Sequence, residues 1–176
     1  MICPAYMYKD EIEKRFAALA YTEKLMWYDG CIENFHHELT EEEDKFQLAI
    51  IESGQAIGYI SFRVDWYGSM AYNFGLMSFM DIYFDNPSQE YKSTKPVIFT
   101  AVRKVMRMIE SFNLHRIDWR CVSGNPAERG YCGILAMLTD KYDIQTVHFR
   151  DNIRDRQGKY HDTIMYELIR KEAQDD

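Results

Sequence analysis

A chain of 176 residues has the length of one domain, and 47% hydrophobic with 28% charged residues is a globular rather than a disordered composition. A net charge of −7 and a pI near 5.3 exclude the basic surface of a dedicated nucleic-acid binder. No apolar run reaches membrane-spanning length, Met1–Tyr6 lacks a leader's apolar segment, and the four cysteines form no C-x-x-C pair, so the expectation is a cytoplasmic protein with reduced thiols.

Residues 4–8 are read as a short first strand. Asp10 to Leu19 follows as a helix, with acidic residues in its first turn and Phe16 and Leu19 on one side. A second short helix is expected from Thr22 through Trp27, then an irregular stretch over Cys31–Thr40. Phe46, Leu48 and Ile50 alternate up to a turn at Glu52–Gln55, and Ile60, Phe62, Val64 and Trp66 alternate beyond it. Period-two patterning on both sides of a Gly-containing turn predicts an antiparallel hairpin.

Tyr72–Phe84 is apolar on both faces: Phe74, Leu76, Met80 and Ile82 on one, Met77, Phe79 and Tyr83 on the other. Such a strand is central and covered on both sides. Asp85–Gln89 reads as a loop. From Pro96 the period becomes helical, with Ile98, Ala101, Val102, Val105, Ile109 and Phe112 on one face and Arg103, Lys104 and Arg107 on the other. Arg116–Val122 alternates again, Asn125 starts a further helix to Leu138, and Ile144–Arg150 with Tyr160–Ile169 form a last hairpin across Gln157-Gly158. No Pro/Gly/Ser-rich linker interrupts the chain, so residues 1–176 are read as one α+β domain. Its mixed, mainly antiparallel sheet is flanked by helices around a strand–helix–strand core. The acidic run Glu41–Asp44 and the tail Glu172–Asp176 are solvated. His36-His37-Glu38 gives no metal site, because adjacent side chains point apart.

Four segments resemble the GNAT superfamily of acyl-CoA-dependent N-acetyltransferases. These are Gln55-Ala-Ile-Gly-Tyr-Ile60, Leu114-His-Arg-Ile-Asp-Trp119, Gly124-Asn-Pro-Ala-Glu-Arg-Gly-Tyr131, and Gly158-Lys-Tyr-His-Asp162 followed by Met165-Tyr-Glu-Leu168. The match runs from about Phe46 to Arg170. The resemblance implies acetyl-CoA as co-substrate, no metal, and direct transfer to an amine acceptor that it leaves open. The family's glycine-rich pyrophosphate loop is replaced here by Gln89–Val97, with Lys95 and Val97 where glycines are expected.

In that frame Lys92, Ser93, Thr94, Lys95 and Val97 are the expected phosphate-binding stretch; a polar loop that merely caps a helix is the other reading. The resemblance puts the edge around Asp81, Ile82, Tyr83 and Phe84 at the thioester carbonyl and Asn125 beside the pantetheine arm or as a helix cap. Tyr131 matches the tyrosine that protonates the departing thiolate, against a packing role on the sheet. Asp81 is the carboxylate placed to deprotonate the amine, or else a strand-end residue. A non-catalytic GNAT-like binding or assembly module is the alternative function, and the aromatic excess also suits a homodimer surface. Nucleic-acid and membrane partners are not expected.

Overall fold

The computed structural model describes residues 1–19, 39–79, 87–125, 128–155 and 157–171, with the backbone alone over 87–95 and at 129. They form a seven-stranded sheet in the order β1-β2-β3-β4-β5-β7-β6. The elements are β1 (Ile2–Pro4), a 3-10 turn (Ala5–Tyr8), α1 (Lys9–Leu19), β2 (Lys45–Glu52), β3 (Gln55–Asp65), β4 (Met70–Ser78), α2 (Pro87–Ser111), β5 (Arg116–Val122), α3 (Glu128–Leu138), β6 (Tyr142–Arg154) and β7 (Tyr160–Arg170). All neighbours are antiparallel except β4 and β5, which the long helix α2 joins in parallel.

The sheet is covered on both faces. The larger core lies against α2 and α3, where Ala101, Val102, Val105, Met106 and Ile109 meet Ile60, Phe62, Phe74 and Trp119. The smaller core packs Ile12 and Phe16 of α1 on Ala49, Ile51, Tyr59, Met77 and Phe79. Phe16 stands edge-on to Tyr59 at 5.3 Å and to Phe79 at 5.4 Å, the geometry that aligns ring edges with ring faces. Phe74 in one core and Met77 and Phe79 in the other show β4 covered on both sides, as its sequence predicts.

Local chemistry explains the turns. Ser53 and Gly54 both have positive φ (49° and 79°), as a two-residue hairpin turn between right-twisted strands requires. Gly58 is needed for a different reason: a Cβ there would meet the Met77 carbonyl oxygen at 3.0 Å and Ile50 Cδ1 at 3.1 Å. Arg170 ties the end of β7 to the end of α2, donating to the carbonyls of Leu114 (3.0 Å) and Glu110 (3.3 Å) and to the Tyr142 hydroxyl (2.8 Å).

Three expectations are corrected. The first strand is Ile2–Pro4, and Ala5–Tyr8 coils into a 3-10 turn once Pro4 leaves no N–H for further pairing. Trp66 lies beyond the end of β3, 55% exposed, with its ring on Phe112 at 5.4 Å. The long helix begins at Pro87, so the expected loop at Gln89 and the stretch leading to Pro96 are helical. Proline suits the first helical position at Pro87 as well as it would at Pro96, and Pro96 sits inside the helix without an N–H for the Lys92 carbonyl. The expected helix at Thr22–Trp27, most of Cys31–Thr40 and the end of the strand from Met80 to Phe84 lie outside the described residues.

Candidate active site

The sheet opens between β4 and β5. The two strands pair at Met70↔Arg116 and Ala71↔Ile117, and no further ladder joins them among the described residues. The closed end is fastened by Ser69, whose carbonyl accepts the amides of His115 (2.8 Å) and Arg116 (3.1 Å); its hydroxyl also accepts from His115 N–H at 3.0 Å. Past that point β4 stays with β3 as far as Gly58↔Ser78, and β5 stays with β7 as far as Val122↔Thr163. The β3–β4 register shifts between Ser61↔Gly75 and Arg63↔Tyr72, so β4 carries the extra residue, with Asn73 at φ 54°, where the strands diverge. Irregularities of this kind bend a strand and increase its twist, which carries β4 away from β5. Among the described residues, no strand lies across the gap from these main-chain N–H and C=O groups.

Four buried rings underlie the fork on the α2 and α3 side. Phe74 of β4 and Trp119 of β5 span it with centroids 6.1 Å apart. Tyr131 of α3 lies 5.7 Å from Trp119 and 6.0 Å from Tyr166, and Tyr166 stacks on Trp119 at 5.2 Å. The Cys121 thiol donates to the Tyr166 hydroxyl at 3.9 Å. Burial, reinforced by Cys121, pushes the Tyr131 and Tyr166 phenols well above their ordinary value, so both stay protonated at neutral pH. Burial raises the Cys121 thiol too, against the lowering effect of its bond to Tyr166.

The opposite face of β5 is polar. Arg116 reaches Asp118 at 3.0 Å and Glu167 at 3.0 Å, while Arg120 lies over the Phe149 ring at 5.4 Å. Burial raises the Asp118 carboxyl more than the neighbouring Arg116 lowers it. Asp118 begins the part of β5 that has no partner on β4, which puts a carboxylate at the fork. Its sequence context, one polar residue in an alternating strand, gave no sign of this.

Of the residues expected at the site, Tyr131 is brought to the rings beneath the fork. The helix expected from Asn125 starts at Glu128 instead, and Asn125 lies in the turn ahead of α3: its amide donates to the Val122 carbonyl at 3.1 Å, and its carbonyl accepts from Glu128 N–H at 2.9 Å. The Glu128 carboxylate accepts from Gly124 N–H at 3.1 Å, which fixes the turn at Gly124 (φ 82°). Asp81, Ile82, Tyr83 and Phe84 lie outside the described residues. Lys92, Ser93, Thr94 and Lys95 are on the α2 backbone. Val97 packs on the main core and lines a surface cavity of about 210 Å³ with Met1, Ile2, Pro96 and Thr100, towards β1 rather than the fork. A second cavity, of about 540 Å³ beside Trp66 and Tyr67, lies at the β3–β4 turn, the fork's closed end.

No protein-family profile and no curated protein matches the sequence. Solved structures do match the fold. A probable acetyltransferase aligns over 72% of this chain at 19% identity with a TM-score of 0.52, and the chain spans 63% of that protein's length. The ribosomal-protein-S18-alanine N-acetyltransferase from Escherichia coli aligns over 77% of this chain and 76% of its own, at 11% identity and a TM-score of 0.53. A protein assigned as a phosphinothricin N-acetyltransferase aligns over 98% and 99% respectively, at 12% identity and a TM-score of 0.55. The shared feature is the fold: a mixed, mostly antiparallel GNAT sheet.

Proposed function

We propose that this GNAT-fold chain is an N-acyltransferase that moves an acetyl group from acetyl-CoA to an amine within a ternary complex. The observation that carries the reading is the fork between β4 and β5. An extended pantetheine arm offers amide N–H and C=O groups, and the diverging strand edges offer main-chain partners for them. N–H groups aimed at the thioester carbonyl would stabilise the negative charge that develops when the amine attacks.

The chemistry assigns the remaining roles. The amine nitrogen bonds to the thioester carbon, the carbon–sulfur bond breaks, and the amine proton must leave while the CoA thiolate gains one. Tyr131, a phenol protonated at neutral pH among the rings beneath the fork, is the proposed proton donor to sulfur. Asp81 is the proposed acceptor of the amine proton, with Asp118 the second carboxylate available. Ile82, Tyr83 and Phe84 would present the carbonyl-binding edge, and Asn125 the pantetheine contact in the turn ahead of α3. The acceptor is an amine of a small molecule or of a protein. Free thiols at Cys3, Cys121 and Cys132 suit a reducing, cytoplasmic setting.

One observation favours the non-catalytic alternative. Residues 89–97 are helical, so most of their amides are taken up by hydrogen bonds along the helix rather than free to cradle a pyrophosphate. The N-terminus of α2 at Pro87 is ~13 Å along the axis from Pro96, nine residues at the α-helical rise. On the catalytic reading, Lys92 and Lys95 hold the phosphates by side-chain charge, with Ser93 and Thr94 as hydroxyl donors and Val97 at the base of the stretch. Calorimetric titration with acetyl-CoA separates the two. Micromolar binding, weakened by Lys92→Ala and Lys95→Ala, supports the transferase; no heat and no thermal stabilisation at millimolar ligand supports the binding module.

A further inference from the structure

Trp119 carries a buried polar atom without a partner in the core beneath the fork. Its side chain is 1% exposed, and its indole N–H has no hydrogen-bond acceptor among the described residues. A buried donor left unpaired costs about 1–3 kcal/mol, and folded proteins keep few of them. The position sharpens the question. Trp119 lies on β5 two residues beyond its last pairing with β4, and its ring meets Phe74 of β4 across the divide. Tyr166 and Tyr131 pack on it from the β7 and α3 sides. The donor therefore belongs to the side chain that bridges the two arms of the fork, and a ligand entering between the strands would meet it as the groups that cover it move aside.

An indole nitrogen donates and cannot accept, which restricts what it recognises to an oxygen or another acceptor atom. We infer that Trp119 is a ligand-binding residue of the fork, donating its indole hydrogen bond to a carbonyl oxygen of the acyl-pantetheine arm. This deepens the acetyl-CoA reading and rests on it. The ligand carries three such oxygens, two amide carbonyls and the thioester carbonyl, and the same donor serves any of them. The ring stack holds the indole in place before the ligand arrives, so little side-chain freedom is lost on binding.

The test is nuclear magnetic resonance of the ¹⁵N-labelled full chain. Its three tryptophans, Trp27, Trp66 and Trp119, give three indole N–H resonances; Trp27→Phe and Trp66→Phe assign the third by elimination. Addition of acetyl-CoA is expected to move the Trp119 resonance downfield, as formation of a hydrogen bond does. A shift with acetyl-CoA but not CoA places the bond on the thioester; a shift with both places it on a pantetheine amide. Trp119→Phe, where it folds, is expected to weaken acetyl-CoA binding about 3–10-fold. Backbone shifts around β4 and β5 with the Trp119 indole unmoved would overturn this inference while leaving the transferase reading intact. No shift anywhere at millimolar acetyl-CoA would overturn both.

Discussion

Two glycines provide a test in which the same substitution has opposite signs. At Gly58 an added Cβ meets the Met77 carbonyl oxygen at 3.0 Å and Ile50 Cδ1 at 3.1 Å, whereas at Gly130 it meets nothing within 4 Å. Gly58→Ala must displace β4 main chain by a few tenths of an ångström, an overpacking cost of about 1–3 kcal/mol. The smaller entropy of the unfolded chain returns about 0.4–1 kcal/mol, leaving a net loss of roughly 0.5–2 kcal/mol. For a chain of this size that lowers Tm by about 1–8 °C. Gly130 lies inside α3, so Ala there gains helix propensity and unfolded-state entropy without a clash, about 0.5–1 kcal/mol. Thermal and urea unfolding followed by circular dichroism measures both. Gly58→Ala as stable as the parent, or Gly130→Ala less stable, would refute the packing argument at that site.

Phe16→Ala should cost about 3–5 kcal/mol, because this side chain is 1% exposed and anchors α1 on both Tyr59 and Phe79; a urea-unfolding loss under 1 kcal/mol would contradict that anchoring. Glu42, bonded to Thr40 and Arg63, has its carboxyl lowered from 4.5 to about 2. A depressed folded-state value contributes stability above pH 4.5 that is lost as pH falls towards 2. The Tm difference between the parent and Glu42→Gln should therefore shrink over that range; a difference independent of pH would refute the assignment. Tyr131→Phe should lower kcat about 100-fold or more with donor affinity unchanged, measured on whichever amine the protein acetylates. A rate within twofold of the parent would mean that Tyr131 only packs on Trp119.

Much of the sheet was legible because alternation and burial agree. Ile60, Phe62 and Val64 are buried on one side of β3, and the double-sided pattern at Phe74, Met77 and Phe79 places β4 between two cores. The helical face from Ile98 to Ile109 was equally clear, since Ala101, Val102 and Val105 lie on the sheet while Arg103, Lys104 and Arg107 face solvent. The start of α2 was not, because Pro87 and Pro96 carry the same helix-start signal and only tertiary context selects the first. The fork itself leaves no mark in the sequence: it lies beside an extra residue in β4 at Asn73, and one asparagine in an apolar strand does not announce a divergence. Trp119 was equally hidden, because one inward aromatic in an alternating strand reads as core until its unpaired N–H is seen.

The central claim is that the fork between β4 and β5 holds acyl-CoA, and hydrogen–deuterium exchange with and without acetyl-CoA tests it most directly. Slower exchange is expected in peptides covering Tyr72–Ser78 and Asp118–Val122, the arms that lose each other beyond Ala71 and Ile117. Protection confined to other parts of the chain, or none at saturating acetyl-CoA, would contradict it.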